Sequence, residues 1–430
     1  MMKQIKYPNK LNWLALLKRP EFERNQFTKV VSNILTEVKE NGNDALIRFT
    51  EKFDGVKIDT LLVSQQEVEI ANSKVSEELS NAIKLAKANI EKFHKAQNIT
   101  EPVIQTTKGV SCWRKNIGIE KVGLYIPGGS APLFSTVLML AIPAKIAGCD
   151  EIVICTPPNS EGNIDPAILY TASLVGVTKI YKVGGAQAIA AMAFGTESIP
   201  QVYKIFGPGN QYVTKAKELI QQEGIAIDMP AGPSEVLIIA DNTCNPSFVA
   251  ADLLSQAEHG ADSQVILVSD DENIIAEVNI QLEIQLAKLP RVELATKALE
   301  NSRSILLKDM KECVAFSNEY APEHLIIASE AADNFIEKIV NAGSVFLGNY
   351  SCESAGDYAS GTNHTLPTNG YARNYSGVSI DSFVKKITFQ KLEKEGLKNI
   401  GPAIEIMAEA EQLFAHKNAV TLRLKEIQNV

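Results

Sequence analysis

The sequence lacks the features of a membrane or secreted protein. Its longest uninterrupted apolar run, residues 137–144, contains Pro143 and is far shorter than the roughly 20 residues that a membrane-spanning helix needs. The apolar segment 11–17 is too short for a secretory signal, is interrupted by Asn12 and is followed by no small-residue cleavage site. We therefore expect a cytoplasmic protein.

Cysteine pairs and excess positive charge are also missing. The six cysteines are scattered without any C-x-x-C pair, which argues against both a thiolate zinc site and a disulfide framework. The 42 basic and 51 acidic residues give a net charge of -9, with no block of like charges. Because binding to nucleic acid requires a basic face, nucleic acid is not expected as a partner.

The chain has instead the length and composition of a soluble globular protein. It contains 430 residues, of which 45% are hydrophobic and 22% charged. At about 150 residues per domain, this length predicts two or three domains.

Hydrophobic patterning indicates helices first and an α/β region next. The N-terminal part has helical patterns, with a capping box formed by Ser64 and Glu67. From Val122 the pattern predicts strands that alternate with helices, which is typical of a doubly wound parallel sheet. The predicted strands are 123–126, 152–155, 180–183, 204–206 and 235–240, and the predicted helices are 133–147, 166–174, 186–194 and 211–222.

A second α/β run follows the first. It starts with a helix at 246–259, which we expect Gly260 to end, and continues with strands at 264–268, 304–307, 324–327 and 344–347. Beyond Gly348 a polar loop runs to about Ser379, and loops of this length are usually functional. The segment from Pro402 is helical and has no sheet of its own to cover, so we expect it to pack on a partner subunit.

Three glycine-rich turns follow strands of the first predicted sheet, at 127–129, 184–185 and 207–210. Such turns let the backbone approach a ligand and direct helix N-terminal N–H groups at phosphate. A nucleotide crevice and plain strand-to-helix turns are both open interpretations, since the G-x-G-x-x-G fingerprint is absent.

Two groups of polar residues are candidates for chemistry. Gln256 and His259 share a helix face, which fits either metal ligation or a histidine that caps the helix. Glu323 and His324 open a buried strand, where idle polar groups are costly, so they fit general acid and base work, or a histidine bonded at a strand edge. Ligands in open α/β sheets usually gather at the carboxyl ends of strands, whereas these four residues precede strands. The second sheet must therefore offer its opposite edge, in a cleft shared with the first.

Other candidates carry weaker signals. The loop residues 353–358 and His364 concentrate potential ligands, but the same residue types also form turns. Glu411, His416 and His94 fit solvent-exposed positions by pattern alone.

Five long stretches in order make the chain similar to histidinol dehydrogenases over nearly its whole length. They are GLYIPGGSAP (123–132), DMPAGPSEV (228–236), DLLSQAEHG (252–260), PEHL (322–325) and SAGDYASGTNH (354–364). Cys352 stands where we expect the family usually to have proline, which leaves the expected ligands untouched. The resemblance implies a zinc-dependent enzyme of histidine biosynthesis that oxidises L-histidinol to L-histidine with two NAD, through a bound aldehyde.

The resemblance also assigns roles to residues. It implies one zinc ion per subunit, and it places catalytic proton transfer on His324 and activation of water on Glu323. The expected zinc ligands are Gln256, His259, Asp357 and, from the other subunit of a homodimer, His416. These four, with His324, also contact substrate, and the further substrate-binding residues are Ser234, His364 and Glu411. The expected cofactor-binding residues are Tyr125, Gln187 and Asn210.

The fold that follows is α/β, with two doubly wound, incomplete Rossmann-like parallel-sheet domains and helical arms in an intertwined homodimer. The expected divisions are an N-terminal arm (1–24), a zinc and substrate domain (25–120 with 241–378), an NAD domain (121–240) and a C-terminal arm (379–430) that contributes to the partner's site. A metal-dependent hydrolase, in which Glu323 activates water, is the alternative function, but it leaves the glycine turns without a ligand. A catalytically silent relative would require the loss of a key residue, and none is missing.

Overall fold

The computed structural model describes residues 2–20, 24–128, 132–230 and 232–428, with side chains described from residue 27 onward in the second range. The strands in these ranges are β1 (Lys3–Lys6), β2 (Ile104–Thr107), β3 (Val110–Gly118), β4 (Lys121–Tyr125), β5 (Glu151–Thr156), β6 (Lys179–Lys182), β7 (Lys204–Phe206), β8 (Ala226–Ile227), β9 (Glu235–Ala240), β10 (Gln264–Ser269), β11 (Arg303–Leu306), β12 (His324–Ala328), β13 (Ser344–Leu347) and β14 (Val384–Leu392).

Helices connect and cover these strands. The α-helices are α1 (Trp13–Leu16), α2 (Arg24–Asp54), α3 (Gln65–Lys74), α4 (Glu77–Lys95), α5 (Phe134–Ala147), α6 (Pro166–Leu174), α7 (Gly185–Phe194), α8 (Gln211–Ile220), α9 (Pro246–Ala257), α10 (Glu272–Leu286), α11 (Val292–Glu300), α12 (Met310–Tyr320), α13 (Glu353–Tyr358), α14 (Ile380–Phe383), α15 (Lys394–Ala410) and α16 (Phe414–Gln428). Short 3₁₀ helices occur at Lys10–Asn12, Gln221–Glu223, Ala332–Lys338 and Tyr371–Arg373.

Two parallel sheets share one topology. The first has the order β6-β5-β4-β7-β8, and the second has the order β1-β11-β10-β9-β12-β13. If the edge strand β1 is left aside, each sheet has five strands, and numbering them by their order in the chain gives the spatial order 3-2-1-4-5 in both. This is the doubly wound arrangement, with its switch point between the first and fourth strands. The switch points are the pairs β4·β7 and β9·β12, the latter with Val236 opposite His324. The two predicted parallel sheets are therefore confirmed.

Both sheets are covered on their two faces, as their sequences dictate. β9 and β10 are buried at every position, so they read as continuous apolar runs rather than as alternating ones. Successive residues of β9 enter different apolar cores: Val236 and Ile238 pack on one side of the sheet, and Leu237 and Ile239 on the other. α5 is buried around most of its circumference, and Gly148 ends it in the left-handed conformation.

Local capping signals were predicted correctly in several places. Ser64 and Glu67 form the expected capping box at the start of α3. α2 is kinked at Gly42, where this glycine has φ 46°. These features depend on residues within one or two turns, which is why the sequence reveals them.

Several predictions about elements are wrong. Strand 235–240 was expected in the first sheet, but it pairs with β10 and β12 in the second. α9 ends at Ala257, so His259 lies in the following turn, and Gly260 is absent from the glycines with left-handed φ. The N-terminal segment forms an edge strand, β1, beside β11. His94 is buried rather than solvated, with Nδ1 2.9 Å from the Ile90 carbonyl oxygen.

A third sheet was not predicted. β3 pairs antiparallel with β14 and with β2, so the C-terminal arm contains a long strand before its two helices. The polar loop before it is interrupted by the short helix α13. Among the described residues, no helix combines the length and apolarity needed to cross a membrane.

Candidate active site

The two parallel sheets meet at a cleft of about 790 Å³. Asn210 and Tyr212 line it from the segment after β7, at the carboxyl edge of the first sheet. Pro233 and Asp262 line it from the segments before β9 and β10, at the amino edge of the second sheet. Arg19 reaches it from the N-terminal segment. The second sheet thus offers its amino edge to a shared cleft, although the four residues on which this expectation rested, Gln256, His259, Glu323 and His324, are not among those that line it.

The glycine turns of the first sheet converge as their positions after strands require. The Gly185 N–H donates to the Tyr125 hydroxyl oxygen at 3.1 Å, which joins the turns after β4 and β6. Gly207 packs so closely that an added Cβ would lie 2.1 Å from the Tyr125 carbonyl oxygen. Gln187 is buried in the first turn of α7. Gly129, part of the expected turn after β4, lies outside the described residues.

Asn210 fixes the last of these turns. Its side-chain oxygen accepts hydrogen bonds from the N–H groups of Tyr212 and Val213 at the start of α8. Behind the turn, Asp228 accepts from the Gly207 N–H at 2.8 Å, and Lys217 donates to the Gly207 carbonyl oxygen at 2.9 Å. Lys217 and Asp228 also form a buried ion pair. The turn is therefore held from both sides.

Glu235 begins β9, and Glu323 immediately precedes its parallel neighbour β12. The backbone N–H of each glutamate donates a hydrogen bond to the side chain of the other. The Glu235 N–H donates to Oε2 of Glu323 at 2.9 Å, and the Glu323 N–H donates to Oε1 of Glu235 at 3.2 Å. The preceding turn places Ala321 in the left-handed region, with φ 53°. Glu323 is consequently a buried carboxylate in a fixed position at the start of β12.

His324 is oriented through its Nδ1 atom. This nitrogen lies 2.8 Å from Nε2 of Gln256 and 3.2 Å from the Glu235 carbonyl oxygen. Its Nε2 points toward Asp357, whose Oδ1 is 3.6 Å away, and makes no hydrogen bond within the described structure. His324 thus presents one free ring nitrogen to the space that Asp357 faces.

Acidic side chains surround that nitrogen. His324, Glu353 and Asp357 each offer a ligand atom within 4.8 Å of the others. Among the described residues, these three form a group of His, Asp and Glu side chains close enough to hold a metal ion. Glu353 and Asp357 are one turn apart on α13, so they share a face. Oε1 of Gln256 and Oε2 of Glu353 are also buried without a hydrogen-bond partner in the described structure.

Burial and charge shift the site's pKa values in opposite directions. Burial raises the pKa of Glu323 and outweighs the opposing effect of His324. Burial alone would lower the pKa of His324, but the carboxylates of Glu353, Glu323 and Asp357 outweigh it, so the pKa is raised. Burial alone would raise the pKa of Asp357, but the nearby imidazoles, chiefly His324, outweigh it and lower the pKa.

His259 and His364 complete the surroundings of Asp357. His259 is exposed at the end of the turn after α9, and partial desolvation lowers the pKa of its imidazole. Nδ1 of His364 lies 3.0 Å from the Asp357 carbonyl oxygen, and its Nε2 lies 3.2 Å from the Thr136 hydroxyl. Desolvation by burial lowers the pKa of His364 as well. The structure therefore favours neutral imidazoles at both positions.

Three predicted site residues stand outside this cluster. Ser234 lies between the cleft-lining Pro233 and buried Glu235, and its carbonyl oxygen accepts from the Gln264 N–H. Glu411 and His416 are exposed in the C-terminal arm, and among the described contacts neither has a hydrogen bond or ion pair with the cluster. A single chain does not bring these two residues to the site.

Sequence reasoning missed Arg19 and Glu235, and it included Glu353 only among the potential ligands of the loop 353–358. Glu235 opens an otherwise apolar buried strand, the same signal that identified Glu323, and it could have been found in that way. The spacing of Glu353 to Asp357 on a helix could have singled it out. Arg19 has no local signal, because its partner Glu235 is more than 200 positions away.

The chain is similar to known proteins over nearly its whole length. The family model described as histidinol dehydrogenase matches residues 17–424. A histidinol dehydrogenase of Bacteroides thetaiotaomicron is 60% identical over 428 residues, covering 100% of both chains. One from Salmonella typhimurium is 53% identical over 417 residues, covering 96% of this chain and 95% of the relative. The crystal structure of histidinol dehydrogenase from Elizabethkingia anophelis superposes with a TM-score of 0.98 at 60% identity, covering 99% of each chain. This chain belongs to the histidinol dehydrogenase family.

Proposed function

We propose that this protein oxidises L-histidinol to L-histidine with two NAD, as a zinc-dependent enzyme of the final steps of histidine biosynthesis. The observation that carries the proposal is the fixed pair Glu323–His324, which faces Asp357 and Gln256 in a fold whose cleft is lined by the glycine turn at 207–210. Family membership across residues 17–424 supports the substrate.

The donor set fits a divalent metal. Oε1 of Gln256 is buried without a hydrogen-bond partner in the described structure, which is costly unless a cation or a donor occupies the neighbouring space. Three acidic side chains lie around one imidazole, and burial raises the pKa of both Glu323 and Glu353 to about 8, so a bound cation would replace protons that these carboxyl groups otherwise retain. The lowered pKa of His259 favours the neutral imidazole that a metal requires.

We assign the zinc to Gln256, His259, Asp357 and the partner subunit's His416. This set shares Asp357 with the geometric cluster that includes His324 and Glu353. An oxygen and nitrogen set without thiolate suits a metal that also accepts substrate ligands. Zinc would orient the imidazole and amino nitrogens of histidinol and, secondarily, polarise the reacting oxygen.

The turns of the first sheet fit a dinucleotide. Gly184 precedes α7 and gives it no side-chain cap. The Gly185 N–H donates to the Tyr125 hydroxyl, and among the described contacts the next two N–H groups, of Ala186 and Gln187, have no partner and are available to phosphate. Tyr125, Gln187 and Asn210 surround these turns and are our cofactor-binding residues. NAD supplies the hydride acceptor for both oxidations.

His324 is the proton acceptor for the alcohol. Gln256 and the Glu235 carbonyl group contact its Nδ1, which leaves Nε2 directed at the space that Asp357 faces. Nε2 can accept a proton only when the ring is neutral and Nδ1 carries its hydrogen, which Nδ1 can donate to the Glu235 carbonyl oxygen. A cation held by Asp357 would offset the carboxylates that raise the pKa of His324, so that Nε2 could take the alcohol proton as hydride leaves the adjacent carbon.

Glu323 is the base for the second oxidation. The aldehyde must gain water before a second hydride can leave, and a carboxylate that removes a proton from that water assists its addition. The Glu235 N–H holds Oε2 of Glu323, so the carboxylate approaches the aldehyde from a fixed direction. Ser234, His364 and Glu411 are further substrate contacts in this proposal.

The assembly we propose is a cytoplasmic homodimer with shared sites. The exposed C-terminal arm, 379–430, then brings Glu411 and His416 to the partner's cleft. Of the expected divisions we keep 1–24 as the N-terminal arm and 241–378 in the zinc and substrate domain. Because β9 belongs to the second sheet, we end the NAD domain, expected at 121–240, before Glu235. Helices α2, α3 and α4, expected in the zinc domain as part of 25–120, pack on α5 to α8 of the first sheet, so we place them with the NAD domain.

The test is the ratio of NADH formed to histidinol consumed by the zinc-loaded protein. Two NADH per histidinol support the proposal. A ratio of one or zero refutes it, and hydrolysis without NAD binding would favour the metal-dependent hydrolase instead.

A Glu323→Gln variant adds a test of the second step. We expect it to slow the second oxidation more than the first, so that aldehyde can be trapped, because only the second step needs water. Glu319→Gln, which changes an exposed carboxylate of α12, is the matched control and should behave like the unmodified protein. Equal slowing of both steps would contradict the role of Glu323.

A further inference from the structure

Arg19 connects the N-terminal segment to the catalytic pair. It follows α1 and lies in the cleft, where its guanidinium group stacks over the Tyr320 ring with 3.9 Å to the centroid. Trp13 anchors the same segment by an edge-on contact with Phe316, at 5.0 Å between ring centroids. The segment is therefore packed against α12, the helix that leads into Glu323.

The guanidinium group of Arg19 donates hydrogen bonds to oxygen atoms of three residues. Nε and Nη2 donate to the two carboxylate oxygens of Glu235, the latter at 2.8 Å. Nη2 also donates to the carbonyl oxygens of Tyr320 at 2.8 Å and of Ala321 at 3.3 Å. A planar group with several fixed donors matches this arrangement, whereas an ammonium group is a single point of charge.

Each acceptor of Arg19 in turn holds the catalytic pair. Glu235 exchanges two hydrogen bonds with Glu323, and its carbonyl oxygen contacts Nδ1 of His324. Ala321 has a left-handed backbone, a conformation that persists only where the surroundings hold it. Arg19 thus fixes both the carboxylate beside Glu323 and the turn before it.

The buried negative charge of Glu235 is a second reason for the contact with Arg19. Glu235 is 2% exposed, and Glu323 is its buried neighbour at the start of the adjacent strand. Two buried carboxylates this close repel each other unless a cation neutralises one of them or one takes up a proton. Tyr320 adds only hydroxyl contacts to Glu235 and Gln264, so Arg19 is the cation that contacts Glu235 in the described structure, while Nδ1 of His324 lies 3.7 Å from Oε2 of Glu323.

We propose that Arg19 is a positioning residue that holds Glu323 in place for the second oxidation, acting through Glu235 and the 320–321 turn. The inference rests on the proposed function, in which Glu323 activates water for the aldehyde. It makes the N-terminal segment part of the catalytic apparatus although no atom of Arg19 need touch substrate.

The experiment compares two substrates with zinc-loaded Arg19→Met and Arg19→Lys variants. With the amino aldehyde as substrate, we expect Arg19→Met to lower kcat by roughly 10- to 100-fold, the loss typical of a misplaced catalytic group. With histidinol, the first hydride transfer, measured in a single turnover, should fall much less, and KM for NAD should stay unchanged. Arg19→Lys should show a smaller loss confined to the aldehyde.

Arg303→Met is the matched control. Arg303 donates to the Leu16 carbonyl oxygen at 2.6 Å, so it ties down the same segment without contacting Glu235. If Arg19 acts only by anchoring the segment, both arginine variants will lower the two steps alike, and the proposal is wrong. If Arg19→Met does not fold, Arg19→Lys decides the question, and unchanged rates for both substrates would overturn the proposal.

Glu323→Gln in the same series separates the two hypotheses. A selective loss of aldehyde oxidation in Glu323→Gln without one in the Arg19 variants overturns the role of Arg19 alone. An unmodified protein that forms no NADH from histidinol overturns the proposed function and this inference with it.

Discussion

Breaking the buried ion pair between Lys217 and Asp228 should strongly destabilise the part of the protein built on the first sheet. The side chains are 5% and 1% exposed, and together they hold both the N–H and the carbonyl group of Gly207. Lys217→Met keeps most of the apolar length of the side chain but leaves Asp228 without its direct partner. Removing one member of a buried pair costs about 3–5 kcal/mol.

The surroundings place the expected cost at the lower end of that range. Asp228 keeps hydrogen bonds from the N–H groups of Gly207 and Met229, at 2.8 and 2.7 Å, and the nearby charge of Lys204. We therefore expect a loss of about 3 kcal/mol, which is a large part of a typical folding free energy of about 5–15 kcal/mol. Because the turn also carries Asn210, the dissociation constant for NAD should rise.

Urea denaturation at fixed protein concentration and calorimetric titration with NAD measure the two effects. The double variant Lys217→Met/Asp228→Asn should lose less stability than the two single variants added together, because it leaves no unpaired buried charge. Lys6→Met is the control, since it removes an ion pair with Glu272 whose side chains are 50% and 55% exposed, and it should cost about 1 kcal/mol or less. A cost for Lys217→Met no larger than that of the control, or strict additivity in the double variant, would refute the reasoning.

Three further predictions address the turn, the shared site and the stability at low pH. Gly207→Ala should abolish NAD binding because its Cβ would lie 2.1 Å from the Tyr125 carbonyl oxygen, whereas Gly224→Ala, with φ +89° but nothing within 4 Å, should pay only backbone strain; equal NAD affinities in calorimetry would contradict this. His416→Asn and Asp357→Asn should each lose zinc by metal analysis, and mixed dimers should regain part of the activity; no regain would indicate a site within one chain. Burial lowers the pKa of His94 in the folded protein below its ordinary value of about 6.5. As the pH falls through this value, the imidazole is therefore protonated in the unfolded chain before it is protonated in the folded one. The free energy of unfolding decreases in this pH range. Thermal melting should therefore show that His94→Gln narrows the fall in melting temperature between pH 7 and 5, and an unchanged fall would count against a buried neutral ring.

The features that could be predicted from the sequence depend on residues close together in the chain. The limits of β7 and β13 were predicted correctly because each is a short apolar run bounded by turn residues. The pair Glu323–His324 stood out because polar groups at the mouth of a buried strand are costly unless they are used. Burial is the main cause that raises the pKa of Cys149 to about 12, which makes this thiol a poor nucleophile.

The features that could not be predicted depend on pairing across the chain. β9 carries no signal of the sheet it joins, since an apolar parallel strand fits the centre of either sheet. β3 and β14 are separated by more than 250 residues, so neither indicates its antiparallel partner. Glu411 and His416 were identified by family resemblance alone, and a single chain leaves both exposed.

The two sheets explain why the second uses its amino edge against the usual rule. At the carboxyl edge of the first sheet, α7 and α8 begin, and helix N-termini carry partial positive charge that suits phosphate. At the amino edge of the second sheet, α9 ends at Ala257, beside Gln256 and His259, and a helix C-terminus carries partial negative charge that suits a cation. Since the two sheets share one topology, only by opposing these edges can the fold place an anion site and a cation site across one cleft. The departure of the second sheet from the rule therefore suits the proposed chemistry, in which hydride would pass from the alcohol carbon of a metal-held amino alcohol to the nicotinamide of a phosphate-held dinucleotide.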